Sequence, residues 1–282
     1  MIRNYVHENY LKNKLNEKKS KNSKIYYKEL YENHYLVMRK QIESFKLNEY
    51  NRDEYFELCS AELTTYWKYL LNFMNKLGIS SNSKIHTNFL EEFSIYFLSK
   101  IPKINEFDIF TKNVFSGFKL NYNGELKQLY KDVDFCIGKE ISGIKMPNEE
   151  ELTIKIPIIF VEVKSYTDAT MLGEIVNTSR KIKNAVPNSK SILLSFLKAF
   201  KDDHIYEIAG DSYINEIILM TNKSRSKSNN DVKNQISFTK KGLKDYYITI
   251  EKYMNELNKA DKVNNIGSLL TTIENYKEEN EV

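Results

Sequence analysis

The stretch IPIIFVEVKSY, residues 156–166, constrains this chain more than any other. Its apolar run has the length and content of a buried strand, yet Glu162 and Lys164 lie near its end. Strand side chains alternate, so Glu162 and Lys164 point one way and Val161 and Val163 the other. Charges seldom sit in so apolar a strand unless they are paired, bind metal or do chemistry. Upstream, DVDFCIG places Asp134 inside a second apolar run. Cleaving a phosphodiester requires a neutralised phosphate, a nucleophilic water and a stabilised leaving oxygen. Mg²⁺ held by one or two carboxylates serves all three needs. On this reading Asp134 and Glu162 are the metal ligands. Lys164 orients the attacking water and offsets the charge of the pentavalent phosphate. The bland alternatives are a Lys164 salt-bridged to Glu162 or lying at a sheet edge, and an Asp134 that merely precedes a turn.

The chain has 282 residues, enough for a sizeable core. No run of about 18 apolar residues occurs, so no membrane span is expected. The opening MIRNYVHENYLKNKLNEKKSK lacks the apolar centre of an export signal, and a cytoplasmic protein is expected. The two cysteines, Cys59 and Cys136, suggest neither a disulfide scaffold nor a zinc site. The net charge is only +4, but it is unevenly spread. Segments 10–28, 178–201 and 223–244 each sum to +6, counting seven basic residues and one acid, six and none, and seven and one. Any one such run reads as solvated surface. Three of them beside a carboxylate site suit a polyanion such as DNA.

Residues 1–50 read as polar helix with tyrosine anchors. Tyr27, Leu30, Tyr31 and His34 share one side and are expected to pack inward. Residues 54–77 form the clearest amphipathic helix, with Asp53 as N-cap and Gly78 as the stop. The serine-rich 80–83 is a loop and a candidate boundary. A second helix is expected over about 88–100, with Glu91 and Glu92 in its first turn. There they serve either to favour the helix start or to face a site. Strand 113–122 turns at Asn123-Gly124 into a partner over 126–138, in which Val133, Phe135 and Ile137 share one face and Asp134 and Cys136 the other. A polar loop or small hairpin over 138–151, turning at Pro147-Asn148, leads to strand 154–164. A helix over about 171–186, basic through Arg180, Lys181 and Lys183, connects to apolar strands at 190–200 and 215–222. That order implies a parallel crossover and hence a mixed sheet. Residues 223–235 are expected to be a loop, followed by helices at about 240–258 and 265–279. There is no glycine-rich phosphate loop, and the four histidines are far apart in sequence.

With LEEFSIYFL, VDFCIG and FVEVKSYTDATM in place, the chain resembles the PD-(D/E)xK nucleases over about 85–222, and more narrowly type II restriction endonucleases of the DdeI kind. Val133 stands where the motif has proline, at a position known to be degenerate. The resemblance implies a catalytic set of Asp134, Glu162 and Lys164, with a helix carrying a further glutamate. Of the two candidates Glu91 is preferred, because it lines up with Ile95 and Leu98. The implied fold is α/β: a central mixed sheet flanked by helices, with helical extensions at both ends. The implied organisation is a helical region at 1–80, a nuclease core at 81–222, and a basic loop and helices at 223–282. The implied activity is Mg²⁺-dependent, site-specific cleavage of double-stranded DNA. The implied partners are a second copy of the chain or a heteromeric subunit, with a DNA methyltransferase as genetic partner. A structure-selective repair or junction nuclease and a non-catalytic nucleic-acid-binding protein are the rival readings.

Overall fold

The computed structural model describes residues 5–17, 21–80, 83–102, 104–122, 125–145, 151–197, 199, 213–221 and 236–261. Helices α1 (Val6–Asn16), α2 (Lys21–Glu29), α3 (Leu36–Ser44), α4 (Arg52–Lys76) and α5 (Lys84–Leu98) come first, with a π-helical turn at Leu30–Tyr35 between α2 and α3. Strands β1 (Asp108–Phe110), β2 (Val114–Leu120), β3 (Leu126–Lys131), β4 (Phe135–Lys145) and β5 (Glu151–Lys164) follow. Helix α6 (Ala169–Ala185), β6 (Lys190–Ser195), β7 (Glu216–Leu219) and α7 (Lys240–Asp261) complete the described chain. Five strands form one mixed sheet in the order β1-β4-β5-β6-β7, while β2 and β3 form a separate ribbon. β4 is antiparallel to β1 and β5, and β5, β6 and β7 run parallel, with α6 crossing from β5 to β6.

Alternation along β5 builds two cores. Ile159, Val161 and Val163 join Phe135, Ile137, Ile192 and Leu194 in the main core. That core continues through the amino-terminal helices and α7, from Leu11 to Met254. Phe160 faces the other side with Cys136, Val133 and Ile182 of α6. Tyr27 and Leu30 are buried in the main core, and His34 stacks on Tyr69 at 3.7 Å. Gly138 pairs with Pro157 at a β-bulge. An added Cβ there would lie 2.1 Å from the Ile156 carbonyl oxygen, so only glycine admits this approach. Both cysteines are buried and free.

Several sequence expectations change. Helix α5 begins at Lys84 rather than near Asn88, with extended Ser83 as its N-cap. Glu91 and Glu92 therefore lie about two turns in, too deep to serve the helix start. The N-cap of α4 is Asn51; Asp53 sits in the first turn and binds Lys244 at 3.0 Å. Gly78 takes a positive φ of 61° just past the helix end, as expected of a stop. Residues 126–138 are two strands in two sheets, broken at 132–134. The break reverses the alternation, so Val133 sides with Cys136 rather than with Phe135. β4 continues to Lys145 and pairs antiparallel with β5 from Glu151, so of the two alternatives for 138–151 the hairpin holds. The turns at Asn123-Gly124 and Pro147-Asn148, the 223–235 segment and the 265–279 helix lie outside the described residues.

Candidate active site

The break at 132–134 shapes the site. The chain leaves the ribbon at Lys131 and enters the main sheet at Phe135. Two backbone amides pin the crossing: Lys112 donates to the Val133 carbonyl at 3.3 Å and Asn113 to Asp132 Oδ1 at 3.1 Å. Lys112 and Asn113 hold left-handed φ angles of 64° and 52°. Such angles cost non-glycine residues roughly 1–2 kcal/mol each, so surrounding contacts must enforce them.

Asp134 sits at the end of this crossing, beside the last residues of β5. Its Oδ2 accepts the Val163 N–H at 2.6 Å. Phe135 pairs with Val161, which sets Asp134 level with Glu162 and Val163. Lys164 Nζ then reaches both acids, at 2.7 Å from Glu162 Oε2 and 3.2 Å from Asp134 Oδ2. Val163, between the two charged residues, is buried in the main core. Lys164 keeps 29% of its side chain exposed against 10% for Glu162, so more of the lysine than of the glutamate reaches the surface.

Burial pushes the Glu162 carboxyl up to about 7; Lys164 pulls it back and Asp134 adds to the rise. For Lys164, burial works downward, but Glu162 and Asp134 outweigh it and hold the amine above its ordinary value. Lys164 is therefore a cation at neutral pH. Glu91 belongs to the same electrostatic group. Burial pushes its carboxyl up to about 7, Asp134 adds to that, and Lys164, Lys112 and Lys84 oppose it.

Its neighbour Glu92 points elsewhere. Buried to 4% exposure, it accepts the backbone N–H groups of His7 at 2.8 Å and Glu8 at 3.0 Å, and the Tyr35 hydroxyl. His7 and Glu8 lie in the first turn of α1, so Glu92 caps that helix from a distance of more than eighty residues in sequence. Burial lifts its carboxyl to about 7 despite these bonds.

The four sequence candidates thus fall into a contact triad, Asp134, Glu162 and Lys164, with Glu91 coupled to it through space. Lys112 was not singled out from sequence. Its place beside Glu91 depends on the β1–β2 connection, which carries no motif. Among the described residues no group of three or more His, Cys, Asp or Glu side chains is arranged as a metal cluster. Two hard carboxylates remain, and Mg²⁺ asks for no more when waters and a phosphate complete its shell. Crowding of a buried acid, Glu162, and a half-buried one, Asp134, also favours a divalent cation between them. The donor set fits that ion.

Comparison with known proteins adds two findings. The family model of the Bpu10I restriction endonuclease matches residues 82–281. A solved chain, described as "native BbvCI A2B2 tetramer at low resolution", superposes with a TM-score of 0.69 at 19% identity, covering 88% of this chain and 96% of that one. At that identity the likeness concerns the fold. No curated protein matches the sequence.

Proposed function

The chain belongs to the Bpu10I restriction endonuclease family, and from this membership we propose that it is a Mg²⁺-dependent enzyme hydrolysing phosphodiester bonds at a specific site in double-stranded DNA. One observation supports the reading above the rest: a single ammonium, Lys164, held between two carboxylates at the end of β5. Asp134 and Glu162 would hold the ion. The chemistry that Mg²⁺ would supply there is neutralisation of the phosphate, a lowered pKa of water and a steadied leaving oxygen. Lys164 stays protonated, so it donates N–H groups to the attacking water and to the phosphate and does not act as a base. Glu91, with a carboxyl near neutrality, holds a water at the rim and accepts its proton.

Each chain carries one such set, and a duplex has two strands to cut. A second subunit, identical or different, supplies the other set. The A2B2 assembly named for the BbvCI structure is in line with a heteromeric arrangement. A DNA methyltransferase acting at the same site would protect the host DNA. No described helix is long and apolar enough to cross a membrane, and a cytoplasmic enzyme is part of the proposal.

The basic segments divide. On α6, Arg180, Lys181 and Lys183 lie close to the site in sequence and suit phosphate contacts. Lys240 and Lys244 instead ion-pair with Asp53 and Glu57 on α4 at 3.0–3.6 Å. Lys12 and Lys14 are paired with Glu8 and Glu17. The first pairs join α7 to α4, and the second are local to α1.

Incubation with plasmid and phage DNA plus Mg²⁺ tests the reading. Discrete bands support it. A smear or nicking indicates a structure-selective nuclease, and intact DNA indicates a binding protein.

The rate should also depend on pH in a stated direction. Glu162 and Glu91 both sit near 7, and each works only as a carboxylate. At sub-saturating Mg²⁺, cleavage should rise through neutrality, falling about tenfold per pH unit below it for each proton that must leave. A flat profile across that range would remove Glu162 as a ligand. Stability runs the opposite way. These folded-state values lie above the unfolded ones, so the native chain holds extra protons and loses stability as pH rises from about 4.5 to about 7.

A further inference from the structure

Resting on the nuclease reading, we propose that the β2–β3 ribbon is the element laid into the major groove of the DNA, with Lys119 and Lys127 gripping phosphates along its rim. The ribbon's root is fixed. Val114 packs with Phe160 and Ile182, and Phe115 with Ile154 and Ile156. A bulge between Phe115 and Gly117, with Gly117 at a φ of 125°, then turns the ribbon away from the root. Beyond it Leu120 is 68% exposed and Tyr122 is wholly exposed.

The outer half is poorly designed for a free surface. Lys119 stands directly opposite Lys127, and both are exposed. Among the described residues neither forms an ion pair. Like charges placed directly across a ladder repel, so this pairing weakens the ribbon in isolation. A polyanion removes that cost. A second copy of the chain docking here would bring four ammonium groups together and raise it.

The shape agrees. The major groove, about 12 Å wide, admits a two-stranded β-ribbon. The ribbon ends at Lys131, three residues before Asp134, and the strained Lys112–Asn113 pair clamps its root to that crossing. The ribbon thus starts beside the carboxylates, and from there Phe115 and Gly117 run along β5 toward Ile154 and Ala185.

The test compares wild type with K119Q/K127Q by salt titration of binding to a labelled linear DNA fragment in EDTA, and by digestion in Mg²⁺. A K40Q/K68Q control removes the same charge from α3 and α4. The ribbon variant should bind at least tenfold more weakly, with the log–log salt slope shallower by about 2, close to one unit per lost phosphate contact. Its melting temperature at low salt should rise as the repulsion is relieved, and the control should bind as wild type. An unchanged slope and affinity in K119Q/K127Q would overturn the proposal. So would a change in oligomeric state, seen by sedimentation, without a change in DNA binding. A wild-type protein that binds through the ribbon but cuts nothing leaves this inference standing and sinks the nuclease reading. Wild type and variant that bind and cut alike do the reverse.

Discussion

Lys164→Ala is expected to lower DNA cleavage by about 10²–10⁴-fold, the range a positioned proton-handling group supplies, while DNA binding and the fold persist. The fold persists because Glu162 has an escape. Losing the ammonium leaves two carboxylates together, normally a severe fault in a buried site. Glu162 already sits near 7 and simply takes up a proton, so the site becomes a neutral–anionic pair at mildly acid pH. Circular dichroism melts at that pH should overlay those of wild type. Single-turnover cleavage, measured beside binding in EDTA, gives the decisive reading. Full activity in Lys164→Ala would remove Lys164 from the mechanism. Lost binding would make it a contact residue instead.

Glu92→Ala is expected to be the most damaging change to stability, although residue 92 takes no part in the chemistry. It strips the acceptor from two amides of α1 and from the Tyr35 hydroxyl, and it leaves a hole in a packed core. Orphaned donors cost about 1–3 kcal/mol each, so the three together cost about 3–9 kcal/mol. In a chain of this size that lowers the melting temperature by roughly 10 °C or more. Glu92→Gln retains one acceptor oxygen and should lose about half as much. Thermal denaturation with hydrogen exchange on α1 checks both variants. An unchanged melting temperature for Glu92→Ala would show that the cap contributes nothing.

Where one local pattern decided the structure, the sequence was readable. β5 announced itself through an apolar run with charges on one parity, and α4 through three- and four-residue spacing. The β5–α6–β6 crossover followed from element order. Where two patterns competed, the reading failed. LKQLYKDVDFCIG alternates without a visible fault, so nothing local shows the chain changing sheets at Asp132–Asp134. That change is imposed by Lys112 and Asn113, about twenty residues earlier. Asn88 and Ser83 are both acceptable caps, and only the packing of Ile85 in the core selects the earlier start. The separate duties of Glu91 and Glu92 could not be read at all, because the partners of Glu92 lie far away near residue 7.

Successive positions on a helix diverge by about 100°, and α5 uses that divergence to send one acid toward Asp134 and Lys164 and the next toward the start of α1. Both duties are therefore indexed by a single rotational setting. A one-residue insertion or deletion upstream in α5 would misdirect reactivity and architecture together. Variation between this chain and its descendants should accordingly enter α5 as substitutions and not as changes in length.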